Sequence, residues 1–412
     1  MDIEKILETI PKDFYGVNYY DEQEIVAATK VIFNQSPFRY YGNHLLCETE
    51  KFEKECAEYF GVNYAHAVNS ASGALSCALH ALDIKVGDEV IIPGFFWISV
   101  ANACILNGAI PVLGEVDESL NLDPSDLEKK ITEKTKCVVA IHMDGVPADM
   151  VKIREICNAR NIKIIEDFSQ CIGGYIGSSK VGAFGDISVA SMQVNKAITA
   201  GEGGILLTNN RLYYERIVAR ADFGYIRDKT TDQVITIGEG RRCNEISAAV
   251  LRVQLKKLPQ IISDLNNTKK YIMQELGDIS PIRYRKSKEL SGEVGTSIIL
   301  EFEKKEDAAR FLKFNNASFG NRLQMFLLAN FGCHVYYNCS GLVDKVASDG
   351  GGFPWKYVES ENYSYSKGSL PYTDDILERT VGLKLPGKLN ELQKQAIVIA
   401  LRFIIDNYLR DL

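Results

Sequence analysis

The 412-residue chain is 46% hydrophobic and 25% charged, the balance of a globular protein with enough length for two or three domains. Its 47 basic and 54 acidic residues leave a net charge of -7, which excludes the broad basic footprint of a nucleic-acid binder but leaves room for a local basic pocket. The first ten residues mix charges with apolar side chains and lack a signal-peptide core, and the apolar run 396–401 is far too short to span a bilayer. A cytoplasmic location with no membrane and no nucleic-acid partner is therefore expected. The ten cysteines show no CxxC pair or repeated spacing, so reduced thiols are expected, with neither a metal site nor a disulfide framework.

In chain order, the spacing of Ala74, Leu75, Ala78, Leu79 and Leu82 predicts a helix over 72–82 with one apolar face. Strands are predicted at 89–93, 110–116, 137–143, 162–167, 187–192 and 204–208, with helices between them at 97–106 and 150–160 and after the last at 211–220. Strands alternating with crossover helices imply a parallel sheet covered on both faces. Ligands of such sheets gather at the carboxyl ends of the strands. A long helix over 243–265 follows, then a strand at 297–303, a helix at 307–315 and a closing helix at 389–408. This reads as a large α/β domain over 1–260 and a smaller C-terminal α/β domain over 261–412. The stretch 340–367, rich in Gly, Ser and aromatics, reads as a long loop near a site or an interface.

Four segments carry chemistry. In Ser191-Met-Gln-Val-Asn-Lys196, followed by Gly201-Glu-Gly-Gly204, a lysine stands between two strands ahead of a glycine turn. A lysine that forms an imine needs rigid backbone and partial desolvation, so that its amine is neutral often enough to attack. The strand Ile164-Ile-Glu-Asp167 runs straight into a carboxylate, which either faces the ligand pocket or caps the next helix. A carboxylate facing the pocket could hold a pyridinium proton. Asn69-Ser-Ala-Ser-Gly73 is a small-residue turn entering a helix, where free N–H groups can bind phosphate. Pro93-Gly-Phe-Phe-Trp97 follows a strand and offers Trp97 as a stacking face for a heterocycle.

Together with Gly87-Asp-Glu-Val-Ile-Ile-Pro93, Gln170, Gly182-x-Phe-Gly-Asp186, Glu245-x-x-Ala-Ala249 and Gln254-Leu255, these segments resemble the sugar aminotransferases of the DegT/StrS type, from about residue 15 to 405. That resemblance implies a fold-type I transferase dependent on pyridoxal 5'-phosphate (PLP), active as a homodimer with its site at the interface. It implies Lys196 as the lysine that binds the cofactor and shuttles protons, and Asp167 as the partner of the pyridine nitrogen. It also implies Gln170 near the ring hydroxyl, Trp97 stacked on the ring, and Ala71, Ser72 and Ser191 on the phosphate. Four departures from the family pattern stand out: Ser70-Ala71-Ser72 replaces a Ser-Gly-Thr turn while Ser72 keeps a hydroxyl, Phe96 replaces a threonine, Gln193 stands where His or Tyr is usual, and Gly240 stands where an asparagine reaches the neighbouring subunit's phosphate. Arg241 is expected to take over that last contact. The implied reaction moves an amino group from glutamate or glutamine to a carbonyl of a nucleotide ketosugar, an 8-oxo-octulosonate or an inosose. Gln193 and the aromatic stretch 336–365 favour the free acceptors among these. The competing readings are a PLP-dependent sugar dehydratase, whose relatives replace the lysine with histidine, and a catalytically silent relative.

Overall fold

The computed structural model describes residues 2–227, 232–288 and 292–411. Seven strands form the main sheet: β1 (Tyr64–Val68), β2 (Glu89–Pro93), β3 (Ile110–Gly114), β4 (Thr135–Ile141), β5 (Lys163–Asp167), β6 (Ile187–Ser191) and β7 (Gly204–Thr208). Their order is β1-β7-β6-β5-β4-β2-β3. The five strands from β6 to β3 pair in parallel, whereas β7 is antiparallel to both β6 and β1. Strand β1 is absent from the sequence expectation, because Tyr64-Ala-His-Ala-Val68 has weak β-branching. It is held instead by five residue pairs with β7.

The predicted helices appear with shifted ends. The helix at the glycine turn is Ala71–Ala81, capped by the Ser70 hydroxyl accepting from Gly73 N–H at 3.1 Å. The long helix runs over Glu245–Leu276 without a break at Pro259. The boundary expected at 260/261 therefore falls inside a continuous helix. A second, antiparallel sheet follows from β8 (Arg283–Tyr284), β9 (Ser297–Glu301), β10 (Met325–Leu327) and β11 (Thr380–Lys384), in the order β8-β9-β11-β10. Its core joins Leu300, Phe311, Leu383, Ile404 and Tyr408 to Leu7, so the first helix, Ile3–Glu8, packs with the C-terminal unit.

The stretch 340–367, expected near a site or an interface, runs along the edge of the main sheet. Tyr363 donates to the Glu89 carboxylate at 2.8 Å, and the buried Tyr365 donates to the Pro111 carbonyl at 2.7 Å. The segment thus covers the β3 edge of the sheet, satisfying backbone that would otherwise be open to pairing.

At the end of β5, neighbouring carboxylates point to opposite sides, as strand geometry requires. Glu166 is completely buried and accepts from His142 Nε2 (2.9 Å), Gly182 N (2.7 Å), Phe184 N (2.7 Å), Gly185 N (2.9 Å) and the Ser188 hydroxyl (2.9 Å). Burial alone would raise its pKa, but His142 and these donors outweigh burial and hold the carboxyl below its ordinary value. Its stabilisation is therefore present above the ordinary carboxylate range and lost as pH falls through the depressed folded-state value. Glu166→Gln should lower the unfolding free energy by about 2–3 kcal/mol, read from urea titration at pH 7. An unchanged midpoint there would show that the neutral amide fills the same role.

Candidate active site

The carboxyl ends of β5 and β6, the N-terminus of helix Ala71–Ala81 and the small-domain sheet enclose a cavity of about 460 Å³. Ala71, Ser72, Trp97, Asp167, Gln170, Ser191 and Lys196 all line it. Arg241 does not.

Lys196 sits in the β6–β7 connection, whose backbone is pinned by Val194 N–H to Gly201 O (3.1 Å) and Met192 N–H to Gly203 O (2.9 Å). Its own carbonyl accepts from Gly16 N–H at 3.0 Å, which ties the N-terminal segment to the loop. Gly201 adopts φ +86°, open to glycine at no steric cost. At Gly204 the strand passes so close to the phosphate-type turn that a Cβ would lie 2.6 Å from the Ser70 carbonyl and 2.9 Å from Ala71 N. Only glycine admits that approach. Loss of water around the Lys196 amine lowers its pKa from the ordinary lysine value, and the nearby Asp167 carboxylate only partly opposes this.

Asp167 is buried, and its carboxylate accepts from Ser169 N–H at 3.0 Å, a local turn rather than a helix cap. Burial raises its pKa, opposed by Ser169 and Lys196. The two side chains are thus both held away from their preferred charge states, as a site that awaits a cationic ring nitrogen and a carbonyl would require. Ser169 Oγ accepts from Ser191 N–H at 2.8 Å, which joins the ends of β5 and β6 beside the turn at Ser70–Ser72. Gln170 Oε1 accepts from Asp144 N–H at 3.2 Å, leaving its amide donors for the cavity.

Within this chain the Arg241 guanidinium is paired with Glu239, two residues earlier, and its backbone bonds Asn69 and Ala221 at 2.9 Å each. At Gly240, φ is +32° and a Cβ would come within 3.0 Å of the Phe223 ring, so a side chain there requires that ring to shift.

Other residues reach the cavity that the sequence did not single out: Asp144, Phe331, His334 and Lys384 form its far wall, and Tyr15 and Thr296 a side. His334 stacks on Phe331 (4.0 Å between centroids, 6° between planes) and tilts against Trp97 (4.9 Å). Lys384, at the end of β11, ion-pairs with Asp144 and lies 5.0 Å from the Phe331 ring centroid. Asp144 was open to the same argument as Asp167, being a carboxylate three residues past the end of β4. Lys384, by contrast, carries no local signal.

The strand order, the antiparallel second unit and the lysine between β6 and β7 define a fold-type I aminotransferase. Residues 20–345 match the DegT/DnrJ/EryC1/StrS aminotransferase family, and the chain belongs to it. With membership come the transaminase class and its cofactor, PLP. It is 33% identical over 274 residues to the GDP-perosamine synthase of Vibrio cholerae, covering 65% of this chain and 74% of that protein. It is 34% identical over 218 residues to the L-glutamine:2-deoxy-scyllo-inosose aminotransferase of Streptomyces kanamyceticus, covering 50% of this chain and 51% of that protein. The second match thus spans about half the length of its relative. The crystal structure of 3-amino-5-hydroxybenzoic acid synthase superposes with a TM-score of 0.78 over 95% of this chain and 97% of that one, at 24% identity, a likeness of fold.

Proposed function

We propose that the protein transfers an amino group from glutamate or glutamine to the ketone or aldehyde of a sugar or cyclitol, in amino-sugar biosynthesis. The observation that carries this reading is the meeting of a desolvated lysine and a buried carboxylate in one cavity, beside a helix N-terminus. These residues suit PLP: the close approach of Gly204 to the Ser70–Ala71 turn leaves a cradle for a phosphate, and the N–H groups there are donors for it. When bound, the cofactor supplies an electron sink for the pair left on carbon after proton removal. Lys196 holds the cofactor and, once released, moves the proton at the reacting carbon as base and then acid. Asp167 keeps the ring nitrogen protonated through a charge-assisted hydrogen bond. With the cofactor bound, Trp97 would cover one ring face, Gln170 would reach the ring hydroxyl, and Ser72, Ser191 and the Ala71 backbone would hold the phosphate. Arg241, paired with Glu239 within its own chain, is the candidate for the contact to the neighbouring subunit's phosphate in the dimer.

The test is a panel of amino sugars and amino cyclitols run in the back reaction with 2-oxoglutarate and the cofactor. Formation of glutamate from at least one of them is expected. Cofactor capture at Lys196 with no amino transfer to any member would overturn the acceptor class.

A homodimer with the cavity at its interface is part of the proposal. Helix Glu22–Phe33 exposes Ile25, Val26, Ile32 and Phe33, the last at 85%, an apolar face that a partner subunit would cover. Light scattering should give twice the chain mass, and a monomer with full turnover would sink the shared-site model. We place the enzyme in the cytoplasm, a reducing compartment that suits its cysteines, which are unpaired thiols and mostly buried. No helix among the described residues is long and apolar enough to cross a membrane.

A further inference from the structure

The far wall of the cavity holds hydrogen-bonding capacity that the cofactor assignments do not use. Asp144 is only 2% exposed, and its Oδ2 has no hydrogen-bond partner among the described residues although the residue lines the cavity. Leaving a buried carboxylate oxygen unpaired is costly, so a ligand donor there is favoured. The residue is fixed firmly enough to act as a template. Its φ is +50°, its N–H donates to Gln170, and its carbonyl accepts from Arg285 Nη2 at 2.8 Å and from the Ser297 hydroxyl at 3.4 Å. The neighbouring Gly145 carbonyl accepts from Val294 N–H at 2.8 Å, so the small domain locks the turn.

Beside it, Lys384 spends one of its three N–H donors on Asp144, leaving two. His334 supplies an acceptor. Its Nδ1 lies 3.1 Å from the Phe331 carbonyl, which can only accept, so Nδ1 carries the proton. Burial pushes the imidazole down to about 4, with Lys384 and Lys196 adding to the effect and Asp144 opposing it. The ring is therefore neutral at pH 7, and Nε2 is left as a lone-pair acceptor.

We propose that Asp144, Lys384 and His334 form a subsite for the hydroxyl groups of a neutral polyol ring, with adjacent hydroxyls donating to Asp144 Oδ2 and accepting from Lys384. This deepens the sugar or cyclitol reading and rests on it. The charge pattern is what selects a neutral ligand. Asp144 pairs with Lys384, and the buried Arg285 behind it is balanced by Asp144 together with Glu293, so a carboxylate drawn to Lys384 meets the Asp144 charge at the same place, and like charges so juxtaposed are disfavoured. A vicinal diol satisfies both partners without breaking their ion pair. An acceptor that carries a carboxylate at this end, as an octulosonate does, is accordingly disfavoured.

The test uses the cofactor-loaded protein, with myo-inositol as the neutral probe and glucuronate as the anionic one, both titrated by calorimetry. Wild type should bind myo-inositol more tightly than glucuronate. Asp144→Asn should weaken myo-inositol binding by about tenfold or more, the loss expected for a hydrogen bond to a charged acceptor. His334→Phe keeps a ring between Phe331 and Trp97 while removing Nε2, and should weaken it as well if the first variant fails to fold. In both variants the KM for glutamate in the donor half-reaction should shift several-fold less than the affinity for myo-inositol. A larger shift for glutamate would assign the cluster to the donor carboxylate and overturn the proposal, as would tighter binding of glucuronate than of myo-inositol to wild type. Wild type that captures the cofactor at Lys196 but does not hold myo-inositol overturns this inference alone. Wild type that never captures the cofactor overturns the reading beneath it.

Discussion

Lys196→Ala is expected to abolish both covalent capture of the cofactor and turnover, with a rate loss of about 10⁴-fold or more. The protein should remain folded, because the Lys196 side chain makes no ion pair among the described residues, while the backbone contact from Gly16 to its carbonyl persists in the variant. Wild type treated with borohydride after addition of PLP should yield a peptide carrying the reduced adduct at Lys196. The variant should yield none, and added amines such as methylamine should restore part of the proton transfer. An adduct on Lys384, the other lysine lining the cavity, would reassign the site. Capture should also speed up as pH rises, because the amine attacks only when neutral. Since burial lowers the amine's pKa, the rise should level off below the ordinary lysine value of 10.5. A rise that continues through that value would mean the amine is as well solvated as on a free surface.

Much of this site was legible before the structure. Asp167 closes a core strand and Lys196 stands in the connection that follows another, and in a mostly parallel sheet the carboxyl ends converge. The turn at Ser70–Ser72 could be read only in company with the other segments, because small residues before a helix serve equally as a helix cap, and the Ser70 hydroxyl does cap Gly73 N–H. Strand β1 was not legible, since its place depends on pairing with the distant β7, in the register of Tyr64 with Thr208 and neighbours, and local propensity does not report that. The far wall was hidden for the same reason. Lys384 is brought to Asp144 only by the docking of the second sheet, and the Arg285 and Val294 contacts that hold the Asp144 turn also come from that unit. For Arg241 the sequence did not show that Glu239, two residues earlier, pairs with its guanidinium within the chain. Sequence order shows which residues are available; it does not show how their charges are already satisfied.

Asp167→Asn separates function from stability, and the two should move in different directions. At neutral pH the buried Asp167 carboxylate is disfavoured by desolvation, since its pKa is raised in the fold. A group with a raised folded-state pKa favours the fold below its unfolded value and loses that contribution as pH rises through the folded one. At pH 7 the cofactor-free protein therefore bears the cost of an ionised, poorly solvated group. Asparagine removes that cost and can still accept from Ser169 N–H through its amide oxygen. The cofactor-free variant should consequently melt at or above the wild-type temperature at pH 7. Wild type alone should gain stability as the pH is lowered toward the raised value, so the difference between the two should shrink there. Turnover should fall by about 10²–10³-fold, because a neutral amide cannot hold the proton on the ring nitrogen that drains electron density from the reacting carbon. Covalent capture at Lys196 should survive, which distinguishes this loss from that of Lys196→Ala. Near-normal turnover with the cofactor bound would reduce Asp167 to a turn-forming residue. A variant that melts well below wild type would show that its carboxylate, rather than being held at a cost for the cofactor, supports the fold itself.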